Sequence, residues 1–147
     1  MRASAATIFP QAAAANPGGF LVVWSAPHGS STTDWDILGA RIGADGSLLD
    51  PAPLPVCTLT GSIQSSPAVA ANGENYLVTW RDSRSTGIYG TLVFPDGSIQ
   101  NTHGFPICTA ANDQFTPAVA ALGTNYLAVW QDYRKGTSAK YISAIYG

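Results

Sequence analysis

The phrase "YLVTWRDSR" at 76–84 returns as "YLAVWQDYR" at 126–134, and a looser copy, "FLVVWSAPH", stands at 20–28. A chain that repeats one phrase repeats one packing unit, so this feature constrains the fold more than any single residue does. Trp24, Trp80 and Trp130 anchor the alignment, with steps of 56 and then 50 residues. An aromatic stands four residues before each Trp: Phe20, Tyr76 and Tyr126. Ahead of it comes a Gly-containing turn ("NPGG", "NGEN", "LGTN"), and ahead of that an Ala-rich segment opened by Pro ("PQAAAAN", "PAVAANG", "PAVAALG"). After the Trp come a polar turn and a segment ending in "GADG" or "FPDG", then a short apolar piece, "PLPVCT" or "GFPICT". The third copy runs to "KYISAIYG" without that last piece.

Each complete unit reads as four short strands joined by turns. Asp45-Gly46 and Asp96-Gly97 accept positive φ and predict tight hairpins. The extra length of the first unit falls in "SAPHGSSTTDWD", a polar loop where insertion costs little. The Ala-rich run at 12–15 looks helical in isolation, but the alignment places it on a strand. Composition agrees: 15 Gly, 10 Pro and four Trp accompany only 11% charged residues, and no long window keeps a helical apolar period without Pro or Gly inside it. The fold class is therefore all-β.

The alternation says how the sheets pack. Tyr76, Val78 and Trp80 point to one face and Leu77 and Thr79 to the other; Phe20, Val22 and Trp24 oppose Leu21 and Val23 in the same way. Both faces are largely apolar, whereas a lone antiparallel sheet with one wet face alternates apolar with polar. A period near 50 with four strands and a recurring Trp is the signature of a propeller blade covered by a neighbour on each flank.

The pattern Pro-x-Val-Ala, Gly-x-x-Tyr-Leu-x-x-Trp-x-Asp-x-Arg, Ile-Tyr-Gly and Asp-Gly-Ser resembles the propeller-type repeats of large bacterial secreted and cell-surface proteins, over almost the whole chain. The resemblance implies a β-propeller scaffold and a secreted or cell-surface setting. The N-terminal "MRASAATIFPQAAAANPGG", however, lacks the Leu- or Val-rich stretch of a signal peptide. The first copy departs from the pattern, with Ala26 and His28 in place of the Asp and Arg.

The blades fall at about 8–60, 65–110 and 115–147, the last incomplete, within a single repeat domain. Propellers close with about four to eight blades. Either the chain is part of a longer protein or copies assemble head to tail, and the favoured expectation is a ring closed by a second copy, giving about six blades in a homodimer. Residues 1–8 are expected to pair with the bare edge of the third blade.

Asp82 with Arg84, and Asp132 with Arg134, are the candidate site residues, together with Tyr133 and Trp35. In one reading each Asp organises the turn after its strand and the Arg pairs with it. In the other they form a carbohydrate or carboxylate site, with Arg as a forked donor and Tyr133 or Trp35 as a stacking surface. Trp35 lies in the inserted loop between Asp34 and Asp36, where a binding loop and a hydrophobic plug are equally consistent with the sequence. The repeated Trp residues read as blade-to-blade packing.

Cys57 and Cys108 occupy equivalent places in two units, too far apart for a disulfide and too scattered for zinc. His28 and His103 read as isolated surface residues. No cofactor or metal is expected. A net charge of −2 without a basic stripe argues against nucleic acid, and no apolar run is long enough to cross a bilayer as a helix. Asp-box turns, a Gly-x-Ser-x-Gly elbow and a His-Glu-x-x-His pattern are absent from the sequence. The function expected is a non-enzymatic scaffold or binding module, possible glycan ligand included; the alternative is a glycan-active hydrolase whose site forms across the assembled ring.

Overall fold

The structure, a computed structural model, describes residues 10–133. The proposed pairing of residues 1–8, the position of Arg134 and the rest of the third unit lie outside the described residues.

The described chain is all-β and forms three antiparallel sheets. Sheet 1 contains β1 (Ala12–Asn16), β2 (Gly19–Pro27), β3 (Trp35–Gly43) and β4 (Leu54–Cys57), hydrogen-bonded in chain order. Sheet 2 contains β5 (Gln64–Ala71), β6 (Tyr76–Asp82), β7 (Gly87–Val93) and β8 (Phe105–Cys108), again in chain order. Sheet 3 pairs β9 (Gln114–Leu122) with β10 (Asn125–Asp132). The Ala run forms β1, as the alignment requires, because its neighbour β2 supplies the partner that an isolated segment lacks.

The repeat is reproduced in register as well as in sequence. Ile37 opposes Cys57 and Gly39 opposes Leu54 in sheet 1; Ile88 opposes Cys108 and Gly90 opposes Phe105 in sheet 2, with a bulge at the same step in both. The two Asp-Gly hairpins also match. Gly46 N–H donates to the Gly43 carbonyl at 2.9 Å and Gly97 N–H to the Phe94 carbonyl at 2.9 Å. Only the glycines take positive φ, 84° and 88°. These are three-residue loops, a type I turn closed by a left-handed glycine, rather than the tighter two-residue kind. Asp45 and Asp96 fasten them by accepting from the following Ser47 and Ser98, N–H at 2.9 Å and hydroxyl at 2.6 Å in each case. These bonds hold both carboxyls below their ordinary range.

The Pro that opens the Ala-rich segment proves to sit inside the strand in the second and third units, at Pro67 and Pro117, but ahead of β1 in the first. β5 and β9 begin three residues earlier, at Gln64 and Gln114. Both ladders slip where Ser66 and Thr116 adopt positive φ, 54° and 44°, just before Pro67 and Pro117. A bulge is where a strand tolerates the missing proline donor.

The core lies between sheets. Leu21, Val23, Ile37 and Val56 of sheet 1 pack with Tyr76, Val78, Trp80 and Tyr89 of sheet 2. Ile88, Ile107 and Cys108 of sheet 2 pack with Ala128 and Trp130 of sheet 3. β5 lies against β1, β2 and β3, and β9 against β5, β6 and β7. Sheet 2 is consequently covered on both faces: every residue of β6 except the half-buried Arg81 is buried.

Candidate functional site

The repeated Asp of the phrase is a buried clasp. Asp82 has no exposed surface. Its Oδ2 accepts the Trp80 indole Nε1–H at 3.3 Å and lies 2.7 Å from Arg84 Nη2, while Oδ1 accepts the Arg84 backbone N–H at 3.0 Å. Arg84 Nη2 also donates to the His103 carbonyl at 2.6 Å, and its guanidinium lies 3.9 Å from the centre of the Tyr89 ring. The tyrosine hydroxyl is 2.9 Å from Ser85 Oγ. A chain of partners thus runs from the indole through the carboxylate to the loop before β8. Gly104, with φ 68°, completes it: a Cβ there would come within 2.5 Å of the Trp80 ring. Sheet 3 repeats the first link, since Trp130 Nε1–H donates to Asp132 Oδ2 at 3.3 Å.

Sheet 1 builds this corner differently. Ala26 stands at the Asp position, and the carboxylate comes from Asp36, directly opposite Ala26 on β3. Asp36 Oδ2 is 2.9 Å from His28 Nδ1. That hydrogen bond, then the charge behind it, raises the pKa of His28 above its usual value. Trp24 Nε1 and Asp36 Oδ1 are both buried without a hydrogen-bond partner. His28 is therefore not isolated: it does for Asp36 part of what Arg84 does for Asp82.

The remaining candidates serve joints between elements. The Trp35 backbone N–H donates to the Ser62 carbonyl at 3.2 Å, and Trp35 bridges Ile63 in parallel, tying sheet 1 to the approach of sheet 2. At the equivalent position the Thr86 carbonyl accepts from Gln114 N–H at 2.9 Å, tying sheet 2 to sheet 3. The Tyr133 ring meets Phe115 edge-on at 5.5 Å, and its hydroxyl accepts from Gln131 Nε2 at 2.8 Å. The structure joins Asp82 to Arg84 but distributes the described candidates among three sheets.

Two residues that matter escaped the sequence reading. Gln64 and Gln114 are fully buried at the heads of β5 and β9. Gln64 Nε2 donates to the Leu59 carbonyl at 3.2 Å, and Gln114 Nε2 to the carbonyls of Ala110 at 3.3 Å and Asn112 at 2.7 Å. Each pins the linker between one sheet and the next. Their signal was there: both stand three residues before the repeated Pro.

Two further kinds of fastener, tyrosine hydroxyls and arginines, cross the sheet boundaries. The Tyr76 hydroxyl donates to the Gly19 carbonyl at 3.3 Å, and the Tyr126 hydroxyl to the Asn75 carbonyl at 2.8 Å. Arg41 donates through Nη1 to the Pro95 carbonyl at 2.6 Å while Asp50 neutralises it, and Arg81 Nη2 is 3.2 Å from Asp113 Oδ1 with its guanidinium 4.6 Å from the Phe115 ring centre. A cavity of about 150 Å³ opens beside Arg41, lined also by Asn16, Phe20, Leu49, Tyr76 and Pro95. Among the described residues no cluster of His, Cys, Asp or Glu could hold a metal ion. Cys57 and Cys108 are not joined in a disulfide, and burial pushes the Cys57 thiol up to about 11.

No protein-family model, curated protein or solved structure matches this chain.

Proposed function

We propose that the chain is a non-enzymatic β-propeller-type scaffold whose sheets assemble head to tail with those of a second copy. The reading rests on one observation: the two outward faces are repeat-equivalents of the two faces that already meet inside the molecule. Tyr76, Val78 and Trp80 pack toward sheet 1, and their counterparts Phe20 and Val22 alternate to the face of sheet 1 opposite Leu21 and Val23, away from that core. Leu77 is 7% exposed beneath sheet 3, and its counterpart Leu127 on the far side of sheet 3 is 38% exposed. Phe20, at 46%, shows the same contrast with the buried Tyr76. A contact between unlike faces of two copies closes into a ring when the rotation per copy divides the circle.

The clasp residues support a structural role over a glycan site. The Asp82 carboxylate is directed at Trp80 and Arg84, and the Arg84 fork at Asp82, a backbone carbonyl and an aromatic ring. Light scattering tests the assembly: the expected mass is about twice the 15.3 kDa of one chain. Leu127→Glu should return it to the mass of one chain, because a charge would then be buried without a partner. A wild-type protein of single-chain mass at every concentration, or a dimer indifferent to Leu127→Glu, would overturn the proposal.

A further inference from the structure

We infer that the joint between copies is an apolar seam stripped of the polar fasteners used inside the chain, and that the copies therefore separate and exchange. This rests on the head-to-tail reading above. Inside the chain both sheet boundaries carry a tyrosine hydroxyl bond, and the boundary between sheets 2 and 3 adds a cation and an amide at further repeat positions. The aromatic before the Trp donates a hydroxyl to the turn carbonyl of the preceding sheet, from Tyr76 and from Tyr126. The residue after Trp80 is Arg81, which reaches Asp113 and Phe115 of the next sheet. Asn72, in the turn after β5, donates from Nδ2 to the Thr124 carbonyl across the boundary at 3.5 Å.

At the outward faces all three positions are changed. Phe20 stands where the others have Tyr, and it has no hydroxyl. Gln131 stands where sheet 2 has Arg81, and its amide turns back to Tyr133 of its own sheet. Leu122 stands at the Asn72 position and is 85% exposed. The apolar half of the interface is kept, and its hydroxyl, its cation and its amide are gone. Such a surface associates by area alone, which supplies affinity without a fixed register. With the cation gone from that position, the association should depend only weakly on salt.

Phe20→Tyr tests this by restoring a fastener. The new hydroxyl is positioned to reach the carbonyl of Asn125 of the partner subunit, by the rule that pairs Tyr76 with Gly19 and Tyr126 with Asn75. Phe20 is half-exposed, so the added oxygen does not disturb the fold of the single chain. One such bond is worth about fivefold in affinity, and a two-copy ring has two equivalent seams, so the dissociation constant should fall roughly 25-fold. Sedimentation over a dilution series reads the constant, and mixing of differently labelled copies reads exchange, which Phe20→Tyr should slow by a similar factor. An unchanged constant, or strong salt dependence, in a wild-type protein that does dimerise would overturn the seam while leaving self-association standing. A wild-type protein that never dimerises overturns self-association and, with it, the seam.

Discussion

The Trp corners of sheets 1 and 2 occupy the same place in the repeat and are held by different chemistry. In sheet 2, Asp82 comes from the Trp strand itself, has no exposed surface and answers both the Trp80 indole and Arg84. In sheet 1 the carboxylate has crossed the ladder to Asp36, its partner is a half-exposed histidine, and Trp24 Nε1 has no acceptor. The difference lies in pairing rather than burial: Asp36 and Trp24 are buried as well, yet one Asp36 oxygen and the Trp24 indole go unanswered, whereas Asp82 answers both of its neighbours.

The comparison breaks most sharply at Asp82. Asp82→Ala strands the Arg84 guanidinium and the Trp80 indole in a buried corner, and should lower stability by about 3–5 kcal/mol. Asp36→Ala strands only the half-exposed His28 and removes an oxygen that has no partner, so it should cost about 1 kcal/mol or less. Urea unfolding of both variants measures the gap; equal losses would mean that the two corners are energetically alike.

Rebuilding the sheet 2 corner in sheet 1 sharpens the same point. Ala26→Asp alone puts a second carboxylate directly opposite Asp36 and should destabilise by about 2 kcal/mol. Adding Asp36→Gly, which copies Gly87, and His28→Arg should recover most of the loss, since the indole then gains its acceptor. A triple variant no better than Ala26→Asp would show that the corner depends on more than these positions.

Smaller still is the hydroxyl staple. Tyr126→Phe removes the bond to the Asn75 carbonyl and should cost about 1 kcal/mol in a thermal or urea transition. Tyr76→Phe, whose bond is longer at 3.3 Å, should cost less. Phe20 shows that the repeat tolerates the change where none of the described sheets lies opposite.

Strand order and the inter-sheet direction of Trp80 and Trp130 were legible because they rest on period and alternation, which depend on many residues at once. Positions set by a single backbone event were not. The bulges at Ser66 and Thr116 hide behind ordinary residues, and only the Pro that follows hints that a ladder slips there. Gln64 and Gln114 read as generic polar residues, since their role depends on carbonyls of a linker whose path no local pattern specifies. Asp82 and Arg84 stand out as a pair, and residue types favour a clasp without closing off a ligand site. Burial separates the two, and burial comes from sheets that lie far away in the chain. Closure of a ring is legible neither in the period nor in three sheets, since the twist that fixes it is the sum of small rotations between neighbours.

The finest distinction between the corners is their response to pH. The sheet 2 clasp pairs its carboxylate with an arginine, the sheet 1 corner with a histidine. The hydrogen bond from Asp36, and then its charge, raises the pKa of folded His28 above 6.5. The stabilisation it brings is complete below the unfolded value and fades as pH rises through the higher folded value. In a proton NMR titration the His28 ring should have its midpoint above 6.5, and Asp36→Asn should bring it down. The melting-temperature difference between wild type and His28→Ala should be largest in mild acid and shrink above that midpoint. A difference that grew with pH would mean that neutral imidazole holds the corner, and that the crossed-over carboxylate is no substitute for the missing Asp.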